Sequence, residues 1–278
     1  MKHPVILNIR FGFTIVALLL ATPLFAQFDF PVMSGAGAAM GGTSTALSDN
    51  SSALCNIAGL AELGESSVSL SVRQNFMEEG MSYAAAGLAL PTTAGSWGAS
   101  FIHYGVSEYH EQRISLMYAL KTGEDLAIGA ALHYLHSSTN DPYYEPLNRL
   151  TFSLAVRFRP TESLTLGFKA YNPTAVVSEQ AEGVRTPALF TLGVACRLIE
   201  ELTAIAEVEK NLYYKSSLRF GLEYSFLEDY ALRTGVNTQP VIYSFGLGMK
   251  KRHFGFDIAM QIHQTLGMTP QMSLTYIF

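Results

Sequence analysis

Ten charged residues carry the chemistry this sequence could do: Arg113, Arg157, Lys169, Arg197, Arg219 and Arg233, with Glu207, Glu209, Glu223 and Asp257. Each lies in a segment where apolar and polar residues alternate, and each occupies the polar phase. An arginine fork matches carboxylate and phosphate oxygens bidentately, so such a row can hold an anionic amphiphile. The same residues can also neutralise one another as a salt-bridged ladder filling a narrow polar interior, which is the preferred reading of the pattern. The seven histidines do not form a metal set. His133 and His136 are three apart and point to opposite faces of a strand. His103 and His263 lie in other segments with no carboxylate at ligand spacing. There is no Gly-x-Ser-x-Gly elbow, although a serine, a histidine and an acid from separate strands could still converge. No enzyme activity and no cofactor are expected.

The segments that position these charges repeat about fourteen times from Glu65 to Phe278, each near the roughly 9 to 11 residues that a tilted membrane strand needs. In "RLTFSLAVRF", Leu150, Phe152, Leu154, Val156 and Phe158 oppose Arg149, Thr151, Ser153, Ala155 and Arg157. Leu218, Phe220, Leu222 and Tyr224 oppose Arg219, Gly221 and Glu223 in the same way, and Phe254, Phe256, Ile258 and Met260 oppose Asp257 and Gln261. Every second connection is short ("PTTAG", "KTGED", "RPTES", "LIEE", "LEDY", "KKRH"). Those between are mostly longer, as in "YGVSEYHE", "HSSTNDPYYEPLNR" and "YNPTAVVSEQAEGVRT". Sorting of loops by parity is the habit of outer-membrane barrels, with short periplasmic turns and longer outer loops. Phe158, Tyr224, Phe226, Tyr230 and Phe254 flank the short turns as an aromatic girdle would. The chain ends "QMSLTYIF", placing Leu274, Tyr276 and Phe278 on one face, the form of a C-terminal signal read by barrel assembly machinery.

Composition agrees. The chain is 49% hydrophobic and 15% charged, against roughly 25% charged in ordinary soluble proteins. After the N-terminus no apolar run reaches the roughly 18 residues of a membrane helix, which leaves a closed barrel as the way to cross a bilayer. Residues 1–26 read as a secretory signal, with Lys2, His3 and Arg10 ahead of an apolar core and Ala26 before the cut. A net charge of −5 indicates no nucleic-acid partner. Cys196 shares phase with Phe190, Leu192, Val194 and Leu198 and should face lipid, away from Cys55, so no disulfide is expected.

Between signal and first strand stands "GAGAAMGGTSTALSDNSSALCNIAGLAEL", residues 35–63. Small side chains suit close packing inside a crowded lumen, and recurring Met40, Leu47, Leu54, Leu60 and Leu63 argue against a plain linker. The run resembles the N-terminal segment of the FadL-type outer-membrane barrel superfamily, particularly its PorV/PorQ-like branch, where it leads to Asn-Pro-Ala-Gly-Leu. Here that motif is Asn56, Ile57, Ala58, Gly59 and Leu60. Ile57 in place of proline frees a backbone N–H and relaxes one fixed φ, so the family's hatch geometry does not carry over to this chain at that point. The resemblance implies an all-β, antiparallel transmembrane barrel of about 14 strands (65–278) with a luminal hatch (27–64), in the outer membrane of a Gram-negative bacterium. It implies either passive uptake of a hydrophobic or amphipathic ligand through the hatch-gated lumen and a lateral opening, or an accessory subunit of a type IX secretion or cell-surface assembly. Expected partners are outer-membrane lipid, the barrel assembly machinery, and a hydrophobic ligand or a secretion-complex protein.

Overall fold

The computed structural model describes residue 28 and residues 30–176, 186–212, 214–227 and 229–278. The signal expected over residues 1–26 lies outside the described residues. Alternation becomes fourteen strands, β1 Ser67–Gln74, β2 Ser82–Thr92, β3 Gly95–Gly105, β4 Tyr109–Thr122, β5 Leu126–Thr139, β6 Leu147–Thr161, β7 Leu164–Tyr171, β8 Leu189–Ile199, β9 Leu202–Asn211, β10 Ser217–Phe226, β11 Tyr230–Thr238, β12 Val241–Lys251, β13 Phe254–His263 and β14 Gly267–Ile277. Each pairs antiparallel with its sequence neighbours, and β1 pairs with β14 from Ser67↔Ile277 to Arg73↔Gln271, closing the barrel. Closure leaves no free sheet edge, the condition for a β-structure in lipid.

Phase decides facing. Along β6, Thr151, Ser153, Ala155 and Arg157 are buried, while Leu150, Leu154, Val156 and Phe158 are exposed. The same holds on β10, where Leu218, Phe220, Leu222 and Tyr224 face out. At the short-turn end, stacked Tyr224, Phe226 and Tyr230, and Phe254 against Tyr276 at 5.1 Å, form the expected aromatic belt. Leu274, Tyr276 and Phe278 lie on the outer face, with Tyr276 stacked on Phe278.

The long-loop end differs from expectation. "YGVSEYHE" shrinks to a loop of residues 106–108, and "HSSTNDPYYEPLNR" to 140–146, because their flanks continue the ladder. Tyr104 pairs with Glu111 and His136 with Asn148. Polar composition marks these stretches as leaving the apolar zone, but ladder hydrogen bonding carries the strands on into water. β7 is the exception: it stops at Tyr171, opposite Ser153, whereas β6 begins at Leu147. Asn172, at φ 49°, turns the chain there; its N–H donates to Phe152 O at 2.9 Å and its side-chain oxygen accepts from Thr151 at 2.8 Å.

Residues 30–64 run inside the barrel as α1 (Gly35–Ala39), α2 (Ser52–Cys55) and a 3₁₀ turn (Ala58–Glu62). Ser34 caps α1 by accepting from Gly37 N. Asn56 Nδ2 donates to Thr45 O at 3.0 Å, folding the run back on itself. Met33, Met40, Ala38, Ala39, Ala58 and Leu60 are all fully buried. The wall meets this backbone with glycines on its luminal phase. A Cβ on Gly167 would lie 2.2 Å from Thr45 O, and one on Gly235 would lie 2.3 Å from Gly41 N. The fit is thus small residue against small residue, from both partners.

Ile57 is not loose. Its φ of −60° is the value a proline ring imposes, and the preceding Asn56 is extended (φ −138°, ψ 104°), as a residue before proline would be. Its side chain packs over Gly129 with Ala58, Ala131 and Ala155. Packing of the β-branched chain takes over the restraint that a ring would supply. Ile57→Pro is therefore expected to be nearly neutral. It loses about one buried carbon, about 0.8 kcal/mol, offset by about 0.4–1 kcal/mol of unfolded-state entropy. An unfolding midpoint matching the wild type checks this; a change above about 2 kcal/mol would refute it.

Candidate functional site

Most of the predicted luminal charges are neutralised. Arg233 bridges Glu223 at 2.5 Å and Asp257 at 2.6 Å across β10, β11 and β13. Arg219 meets Glu209 at 2.5 Å. Arg157 meets Glu62, the last residue of the 3₁₀ turn, at 3.2 Å, with Arg159 and Lys121 at 3.6 and 3.7 Å from the same carboxylate. Glu207 pairs instead with backbone: one oxygen accepts from Ser44 N at 2.6 Å and Thr45 N at 2.5 Å. Two of these acids, Glu62 and Glu207, therefore tie the luminal segment to the wall. Arg197 does not join the lumen lining. It is exposed beside the β8–β9 turn, where the ladder is irregular, so its inward phase ends in solvent.

Above this layer, towards the long-loop end, lies a cavity of roughly 360 Å³. The luminal segment contributes Phe28, Phe30, Leu54 and Cys55 to it, and the wall contributes Arg73, Tyr83, Arg113, His133, Lys169 and Tyr171. His133 spans β4 to β6: Nδ1 lies 2.7 Å from Ser115 Oγ and Nε2 2.8 Å from Ser153 Oγ. Both imidazole nitrogens are engaged by hydroxyls, so the ring is a strut between the two strands, and among the described residues it has no carboxylate hydrogen-bond partner. The Arg113 guanidinium lies 4.9 Å over the Phe30 ring, a cation–π contact. Glu111 accepts from Phe28 N at 2.9 Å, pinning the start of the described chain to β4.

Of the predicted charges, Arg113, Lys169, Arg219 and Glu209 line this cavity, the last two paired with each other. Phase also carries the information for Glu111, which shares the alternation of Arg113, and for Arg73, which follows Ser69 and Ser71. Glu62 carries no such signal, because it lies outside the strands and meets Arg157 only after the chain folds into the lumen. The thiol of Cys55, in α2, is pushed well above the ordinary range by burial and then by the nearby Asp49 charge. Because the thiolate is the reactive form, Cys55 should resist maleimide at neutral pH while the segment is docked. Labelling of the Cys196→Ala protein before and after denaturation checks this, and equal rates would refute it.

No protein-family model and no curated protein matches the chain. Solved structures do match in fold. A TodX monoaromatic hydrocarbon channel mutant has a TM-score of 0.69 at 13% identity, over 90% of this chain and 98% of that one. The Ralstonia pickettii toluene transporter TbuX gives 0.68 at 12%, over 91% and 100%. A Pseudomonas aeruginosa FadL homologue gives 0.66 at 13%, over 90% and 99%. The fold is that of a FadL-type barrel.

Proposed function

We propose that this chain is an outer-membrane channel for passive uptake of a hydrophobic or amphipathic small molecule, with residues 30–64 as its gate. The observation that carries the reading is the cavity itself, which lies between an apolar-skinned closed wall and a segment held across the lumen by side-chain contacts that can be broken. A plug held by close packing and by side-chain bonds, among them those of Glu62, Glu207, Ser273, Gln261 and Arg219, can shift without disturbing the backbone ladder. The fold shared with a hydrocarbon channel and a toluene transporter supports this class of cargo. β7 ends at Tyr171, opposite Ser153, while β6 begins at Leu147, and in this reading that stretch of β6 is the candidate for a lateral exit. The short turns then face the periplasm, and the C-terminal strand ending in Tyr276 and Phe278 serves insertion by the assembly machinery. The alternative accessory role in a secretion assembly gains no support from the fold neighbours.

The test is uptake of 1-N-phenylnaphthylamine by intact Gram-negative cells, where the outer leaflet is the barrier. Cells making the barrel should take up the dye faster than cells without it, and variants with a loosened luminal segment faster still. Equal rates in all three would overturn the reading.

A further inference from the structure

We infer that the outer wall of β3–β6 is a docking site for the phosphate of an outer-leaflet lipid, held by His103, His110 and His136. The inference goes beyond the channel reading and concerns the opposite face of the wall. Alternation places all three imidazoles outside. His103 follows exposed Trp97 and Phe101 on β3, His110 precedes exposed Ile114 and Leu116 on β4, and His136 follows exposed Leu132 and Tyr134 on β5. The ladder sets them side by side. His103 lies opposite Gln112 and Gln112 opposite His136, so two imidazoles flank one amide, and His110 stands one outward position above it. The His110 ring centroid is 5.8 Å from that of His103 and 5.8 Å from that of His136. The row ends at Asn148, whose Oδ1 lies 2.8 Å from His136 Nδ1 and accepts from Tyr134 Oη at 2.7 Å. Neither nitrogen of His110 has a hydrogen-bond partner among the described residues, so its N–H is open to a ligand.

Depth identifies the ligand. One outward position below the cluster, Phe101, Ile114, Tyr134 and Leu150 lie in register across the same four strands as exposed apolar skin. Tyr134 turns its ring to that skin and its hydroxyl to Asn148, as an aromatic residue does at a membrane–water boundary. With the short turns facing the periplasm, headgroup phosphates of the outer leaflet fall at the level of the imidazoles. A phosphate oxygen accepts from an imidazolium N–H in a charge-assisted bond. Imidazoliums packed this closely repel one another, and an anion among them offsets that repulsion. Nearby groups do not supply one. The outward residues of the flanking strands, Ser82 and Ala84 on β2 and Asn148 and Leu150 on β6, are uncharged. The loop acids at this end, Glu78, Glu79, Glu108, Asp141 and Glu145, make no ion pair with a histidine among the described residues. Because imidazole titrates near pH 6.5, the contact is present in acid and is lost as pH rises through neutrality.

Native mass spectrometry of the full barrel in detergent, titrated with dioctanoyl phosphatidic acid or dioctanoylglycerol, tests this. At pH 5.5 the phosphatidic acid should bind at least tenfold more tightly than the diacylglycerol, and at pH 7.5 most of that preference should be gone. The phosphate itself gains charge over this range, so weakening with rising pH reports the imidazoles. Combining His103→Gln, His110→Gln and His136→Gln should abolish the preference at pH 5.5, while His110→Lys should carry it on to pH 7.5. Heat-modifiable gel migration confirms that each variant is folded. Equal binding of the two lipids at pH 5.5, or a preference that survives in the folded triple variant, would overturn the inference. Inorganic phosphate competing as tightly as the phosphatidic acid would overturn it too, by making this an ion site. Dye uptake reports on the luminal reading alone, so failure of either leaves the other standing.

Discussion

Gly167→Val is expected to release the luminal segment while leaving the barrel assembled. A Cβ at residue 167 would sit 2.2 Å from Thr45 O, 2.5 Å from Thr45 C and 2.8 Å from Ala46 N, all backbone. No rotamer change relieves such a clash, and overpacking of even flexible surroundings costs about 1–3 kcal/mol. The displaced stretch is the one that Glu207 and Arg157 hold, since Arg157 Nε donates to Ala46 O at 3.3 Å. One added side chain therefore removes packing, both Glu207 bonds and the Arg157 bond together. The wall has no reason to fail: Gly167 pairs with Arg157 and Gly193, and those ladder bonds are made by backbone. Maleimide labelling of Cys55 in a Cys196→Ala background should approach the denatured rate, and dye uptake should rise, with heat-modifiable migration unchanged. Labelling as slow as in the parent would show that the segment is not seated as described.

Glu207→Ala should act on the same element by another route. Its carboxylate is buried and accepts two backbone N–H bonds, from Ser44 and Thr45. Each bond to a charged group is worth about 1.5–3 kcal/mol, and truncation leaves two buried donors without an acceptor. A loss of about 3 kcal/mol in docking raises the detached fraction roughly a hundredfold. Glu207→Gln keeps an acceptor oxygen but loses the charge, so its effect should fall between wild type and alanine. The order Ala, Gln, wild type in Cys55 labelling rate is the expected result, and an alanine variant that labels like wild type would refute the clamp. Because the two sites share one segment, the double variant Gly167→Val with Glu207→Ala should add little to either alone.

Barrel architecture was legible because it rests on a local rule. Side chains in a strand alternate faces, and lipid on one side with a polar lumen on the other writes that alternation into every segment. Strand number, closure and the facing of Thr151, Ser153 and Arg157 followed from phase alone. Loop lengths did not, since polar residues such as Tyr104, Glu111, His136 and Asn148 are as compatible with hydrated strand as with loop. Phase also gave no depth: Arg157 and Arg197 share an inward phase, yet one meets Glu62 in the lumen and the other ends at the rim.

By itself the sequence determined an exported-looking, lipid-skinned β-chain with a small-residue run ahead of it, because composition and period are properties of neighbours along the chain. Only tertiary structure decided which charges are cancelled and which are not. Glu62 lies 95 residues from Arg157 and Glu207 lies 163 from Ser44, and only folding of residues 30–64 into the lumen brings them together. The same folding gives Arg157 its carboxylate partner, while Lys169 and Arg73 line the cavity. Pairing of charge depends on distance in space, which alternation along a strand does not encode.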